Sequence, residues 1–102
     1  MAKHLPTDVR KDEILNAALR VCEKPNGWAK LTRAQVAFKA NCSEGLVSKY
    51  FGTMTAFRRQ VMRAAITQEN LKVLGQGLGA GDATALKAPN DLKVKAIGAL
   101  IL

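Results

Sequence analysis

TRAQVAFKANCSEGLVSKYF, residues 32–51, is the stretch on which the reading of this chain turns. Val36, Ala37 and Ala40 give one apolar side to a short helix over Arg33–Lys39, and Thr32 stands where its N-cap belongs. Asn41-Cys42 then makes a tight turn, because Asn tolerates the left-handed conformation that a short connection needs. Ser43 caps a second short helix, Glu44–Tyr50, and Glu44 falls in its first turn, where the helix dipole favours an acid. Leu46, Val47, Tyr50 and Phe51 supply its apolar contacts. Gly52 stops it as a left-handed residue past the C-cap.

The segments on either side are longer. Met1–Pro6 reads as a flexible tail, and Thr7 as the cap of a helix carrying Asp8 in its first turn. Over Val9–Glu23, Ile14, Ala18, Val21 and Cys22 recur at helical spacing, and Leu15 and Leu19 widen the stripe. Lys24-Pro25-Asn26-Gly27 ends that helix, and Trp28 and Leu31 lie in a connector that packs back on it. Beyond the decisive stretch, Thr53 or Thr55 caps a fourth helix, expected to run from about Met54 to Leu74. Phe57, Val61, Ala64 and Ala65 form one of its apolar stripes, and Met54, Met62, Ile66 and Leu71 add others. GQGLGAGD, residues 75–82, carries four glycines and reads as a flexible joint. Ala83–Ala88 is a helical turn or two, and Asn90 or Asp91 caps a last helix over Leu92–Leu102.

The expected fold is therefore all-α. A three-helix helix-turn-helix domain is followed by a long fourth helix and a short C-terminal helical segment. Residues 1–6 are the tail, 7–74 the helical domain, 75–82 the joint and 83–102 a dimerisation segment. The apolar ending Ala96–Leu102 either packs back on the domain or meets a second chain. Leu71, Leu74, Leu92, Ile97, Leu100 and Ile101 are the expected dimer contacts.

Charge separates the two halves. The 102 residues carry a net charge of +8. Residues 1–63 hold twelve basic and five acidic side chains, against four and three in residues 64–102. A basic half joined to a near-neutral one fits a part that binds a polyanion and a part that does something else. Cys22 and Cys42 form no metal-binding pair, and the lone His4 lies in the tail, so no metal and no cofactor is expected. Both thiols are expected to be free and buried, which suits a reducing cytoplasm. MAKHLPTDVRKDE has no apolar leader segment, and the apolar run 96–102 is far short of the about 20 residues that span a bilayer. No enzyme set is present: the glycines at 75–81 lack the strand and Lys-Ser/Thr of a phosphate loop, and one tail histidine makes no triad.

Two short helices around a tight turn, flanked by longer ones, form a helix-turn-helix. Its second helix needs small or polar residues on the outer side to enter a major groove. Ser43, Glu44, Gly45, Ser48 and Lys49 lie there. Gly45 permits close approach, and Lys49 reaches a phosphate or the acceptor edge of guanine. Glu44 either matches the dipole or accepts from cytosine. Ser43 and Thr32 open helices whose first-turn amides suit phosphate.

With Leu31-Thr32, Val36-Ala37, Ser43, Gly45, Tyr50-Phe51 and Phe57 at these spacings, residues 9–66 resemble the DNA-binding domain of the tetracycline-repressor family. The resemblance implies that Thr32 and Arg33 touch the DNA backbone, that Ser43, Glu44, Gly45 and Lys49 read the groove, that Tyr50 contacts phosphate, and that Phe51 is core. Ser48 stands where that family usually has a tyrosine, Met54 where it has a lysine, and Asn41 where it has the turn glycine. Lys49, Arg58 and Arg59 are the residues that could compensate. The family's large ligand-binding domain is much shortened here. The implied protein is a cytoplasmic, bacterial or phage- or plasmid-encoded dimeric repressor that binds a pseudo-palindromic operator in double-stranded DNA without a small-molecule effector. Two rivals keep the fold: a protein-binding adaptor or anti-repressor, and a non-specific architectural DNA-binding protein.

Overall fold

A computed structural model describes the backbone of residues 7–101 and the side chains of residues 7–99. The tail, with Lys3 and His4, and the side chains of Leu100 and Ile101 lie outside the described residues. Among the described residues seven helices follow one another: α1 (Thr7–Cys22), α2 (Arg33–Ala40), α3 (Glu44–Phe51), α4 (Met54–Thr67), α5 (Leu71–Gly79), α6 (Ala83–Leu86) and α7 (Asn90–Ile101). No strand occurs among the described residues.

The short helices are set by their ends. Thr32 Oγ1 accepts from the Gln35 amide at 3.2 Å, and Gln35 Oε1 accepts from the Thr32 amide at 3.0 Å, a reciprocal capping box. Ser43 Oγ accepts from the Leu46 amide at 3.0 Å, and Thr53 Oγ1 from the Ala56 amide at 3.1 Å. Such caps are worth about 1 kcal/mol each, and helices of eight residues (α2 and α3) need them. Gly52 closes α3 at φ 75°, ψ −131°, a conformation that only glycine adopts easily and that is not the left-handed helical one expected.

Three helices end in the same manner. Asn41 (φ 57°), Glu69 (φ 55°) and Gly81 (φ 72°) turn left-handed just past α2, α4 and α5. In each case the next amide reaches back five residues: Cys42 to Ala37 at 3.0 Å, Asn70 to Ala65 at 2.8 Å and Asp82 to Gly77 at 2.8 Å. These are Schellman closures, which satisfy the last carbonyls of a helix.

The expected long fourth helix is thus two helices. Glu69 takes the left-handed turn, and Asn70 caps α5 by accepting from the Val73 amide at 3.2 Å. The expected flexible joint is largely α5 itself. Gly75 and Gly77 are buried, and Gly77 works by close approach. A Cβ there would lie 2.9 Å from Ala85 Cβ and closer still to Met62 Cε. Its absence lets α5 lie against α4 and α6, which offsets the roughly 1 kcal/mol that a helical glycine costs.

A single core runs the length of the chain. It joins Ile14, Ala18 and Leu19 of α1, Val36 of α2, Val47 of α3 and Phe57 and Val61 of α4 to Val73 and Leu74 of α5, Ala85 of α6 and Leu92 and Ala96 of α7. Head and C-terminal helices are therefore one packed body, not two parts on a joint. The junction is polar as well. Gln76 Oε1 accepts from the Trp28 amide at 2.7 Å, while Gln76 Nε2 donates to the carbonyls of Cys22 at 2.6 Å and Lys24 at 3.2 Å. The Trp28 indole is buried as expected, and its Nε1 donates to the Arg58 carbonyl at 3.2 Å.

Candidate functional site

α2 and α3 are held at their turn by the Asn41 closure and by Val36, Ala37 and Val47, which meet in the core. That burial fixes which side of α3 faces out. Val47 is buried and Leu46 half-buried, so Ser43, Glu44, Gly45 and Lys49 stand exposed, with Ser48 half-buried beside them. All five residues read from the sequence as the outer face are brought together on one side of one helix.

Gly45 is informative because the protein itself does not need it. A Cβ at this position would meet only Ser43 Oγ, at 3.8 Å, an ordinary contact. An exposed helical glycine costs about 0.5–1 kcal/mol relative to alanine. Nothing in the folded chain returns that cost.

Thr32 is exposed at the head of α2, with its hydroxyl engaged in the capping box. Arg33 is half-buried and serves the scaffold: its Nη2 donates to the Gly52 carbonyl at 3.1 Å, tying the start of α2 to the turn after α3. Its Nε is buried with no partner. Tyr50 is half-buried, and Lys11 Nζ lies 6.0 Å from its ring centroid. Lys11 was not among the expected site residues. It sits on α1, far from α3 in sequence, and only the packing of both helices on α4 brings the two together. Phe51 packs its ring on Phe57, centroids 4.8 Å apart and tilted by 52°, which anchors the end of α3 to α4.

Of the cations expected to compensate for Met54, Arg58 is turned inward. Its Nη2 reaches the Leu31 carbonyl at 3.4 Å and its Nε is buried without a partner. Arg59 is exposed.

The expected dimer contacts separate into two groups. Leu74 and Leu92 are 0% and 6% exposed within one chain, so they are core and no partner reaches them. Leu71 is half-buried and Ile97 is exposed, joined on α7 by exposed Val94.

Cys22 is a buried free thiol, as expected. Burial, opposed by the Arg58 and Lys24 charges, pushes its pKa up to about 12, so it stays protonated and unreactive at neutral pH. Cys42 is only half-buried, because it sits in the turn between α2 and α3. No group of three or more metal-ligating side chains occurs among the described residues. A solvent-open cleft of about 570 Å³ lies between the turn after α1 and α5, lined by Trp28, Leu71, Gly75 and Gln76 among others, and so remote from α3. No helix among the described residues is long and apolar enough to cross a membrane. Comparison with family models, curated proteins and solved structures gives no match to the chain.

Proposed function

We propose that the chain is a sequence-specific DNA-binding transcriptional regulator, built on a head similar to that of the tetracycline-repressor family and acting in the cytoplasm as a dimeric repressor. The observation that carries this reading is Gly45. The fold has room for a side chain there and gains nothing from its absence, so the demand for smallness comes from what α3 approaches. A major groove makes that demand, since the backbone of a recognition helix must come close to base edges. Lys49 on the same face meets the N7 and O6 acceptors of guanine or a phosphate. Ser43 and Thr32, at the heads of α3 and α2, aim first-turn amides at the backbone on either side.

The excess positive charge lies in residues 1–63, which include α3. A second copy therefore approaches most readily through the near-neutral C-terminal helices, where Val94 and Ile97 are exposed. Two recognition helices about 34 Å apart would then read a two-fold symmetric site, and an occupied promoter is blocked without any effector.

Binding selection on random duplexes in about 150 mM salt, where the Debye length is about 8 Å, tests this reading. A two-fold symmetric motif is the expected result. A folded protein that selects no motif overturns it. On the selected duplex, Lys49→Ala is expected to weaken binding by about 1–3 kcal/mol and relax preference at one position of each half-site. Unchanged affinity and unchanged preference remove Lys49 from the interface. Gly45→Ala separates stability from binding: the variant is expected to unfold at higher urea, gaining about 0.5–1 kcal/mol, while losing affinity for the duplex. If both quantities stay put, Gly45 has no role in approach.

A further inference from the structure

Phe38 is 89% exposed, far more than any other large apolar side chain described, of which the next is Val94 at 68%. It projects from α2 on the side opposite Val36, which is buried in the core. α2 is fixed at both ends by its capping box and the Asn41 closure, so the ring stands on a rigid support. Single exposed apolar residues are ordinary on a protein surface. Here the surroundings are not. The ring borders a shallow hollow of about 330 Å³ between the end of α1 and α2, lined by Arg20, Val21, Lys24, Gln35, Phe38 and Lys39. The lining holds three cations and no carboxylate. The one ion pair among the described residues is Arg10–Glu13, so none of these three cations is paired within them.

We propose that this flank of α1 and α2 docks an acidic amphipathic helix of a protein partner. The charge pattern selects the occupant. Arg20, Lys24 and Lys39 call for carboxylates, while Phe38 and half-buried Val21 call for an apolar anchor seated between them. An acidic helix with one large apolar residue on the same face satisfies both. A phosphate backbone satisfies only the cations and leaves the ring in water. No residue of α3 lines the hollow, so the flank stays open while α3 occupies a groove. The inference does not depend on the DNA-binding reading, since the probe below contains no nucleic acid.

The test uses the full chain and two synthetic helical peptides: one Glu-rich with a single Trp and two Leu on one face, and a twin with every Glu replaced by Lys. The Glu peptide is expected to perturb backbone amide resonances at residues 20–24 and 35–39 and to bind at least tenfold more tightly than its twin. Phe38→Ala, whose side chain touches little of the fold, is expected to keep the parent melting temperature and to lose at least tenfold in peptide affinity. Lys24→Glu is expected to shift preference toward the Lys twin. Perturbations spread over all basic surfaces, or equal affinity of parent and Phe38→Ala for the Glu peptide, overturn the proposal. So does a loss of affinity for duplex DNA in Phe38→Ala, which would assign the ring to nucleic acid.

Discussion

Phe57→Ala is expected to lower stability by about 3–5 kcal/mol, the range found when a fully buried aromatic ring is truncated. The Phe57 side chain is 0% exposed and the largest that is fully buried, set in the core between α1, α3 and α4. Its surroundings are helices already fixed by caps, so they collapse little into the space it leaves. A domain of this size unfolds at a cost of about 5–15 kcal/mol, so the loss is a large part of the whole. Each kcal/mol moves the melting temperature by about 4–8 °C. Thermal unfolding followed by circular dichroism should therefore fall by well over 10 °C. A fall of less than 5 °C means that the core repacks and that the account given of it is wrong. The Phe51–Phe57 stack goes with the ring, so in the surviving folded fraction the end of α3 is freed from α4.

Gly27→Ala is expected to be nearly as damaging, at about 3 kcal/mol, the upper end of what overpacking costs. A Cβ at Gly27 would sit 2.6 Å from the Cys22 carbonyl oxygen, 2.7 Å from its Cα and 2.8 Å from its carbonyl carbon. All three are backbone atoms at the end of α1, so no flexible side chain can yield. The neighbouring Asn26 supplies the contrast. It is exposed, with φ 59°, and replacing it by glycine removes strain without adding bulk. Urea midpoints should separate the two: Gly27→Ala far below the parent, Asn26→Gly close to it. Similar midpoints for all three proteins would mean that the turn moves away and that the contact is not limiting.

The parts of the fold that local chemistry controls were legible in the sequence. Thr32 and Ser43 cap the helices they were expected to cap, Thr53 rather than Thr55 caps α4, and Asn41 makes the left-handed turn. These signals work within a few residues, and the residue types are ones that few other positions favour. The break after α4 was not legible, because Glu69 is a good helix former and its residue type does not signal the left-handed turn that it takes. The α5 glycines misled for a related reason. By composition they loosen a chain, but Gly77 is there so that Met62 and Ala85 can come close, and that requirement is invisible until α4, α5 and α6 are placed together. Leu74 and Leu92 show a third limit. An apolar stripe says that a face is covered but not by which chain, and here the cover is intramolecular. Phe38 lies off the inward stripe of α2 and matches no motif, so only its exposure distinguishes it. The outer residues of α3 followed directly from the inward ones, because burying Val47 leaves a helix of eight residues little choice of face.

The Gln76 side chain has a bearing on how the chain assembles as it is made. Its partners at Cys22, Lys24 and Trp28 precede it by 54, 52 and 48 residues. On a translating ribosome the first helix and its turn emerge well before α5 exists. In that interval the Cys22 carbonyl and the Trp28 amide have only water to bond, whereas the Lys24 carbonyl already accepts from the Gly27 amide at 2.9 Å. The N-terminal head can gather its apolar stripes during synthesis, but the end of α1 is completed only when residue 76 has cleared the exit tunnel. The polypeptide therefore closes the seam between α1 and α5 late. A nascent chain whose residue 76 is still inside the tunnel is accordingly the state in which the end of α1 is most open to chaperones and proteases.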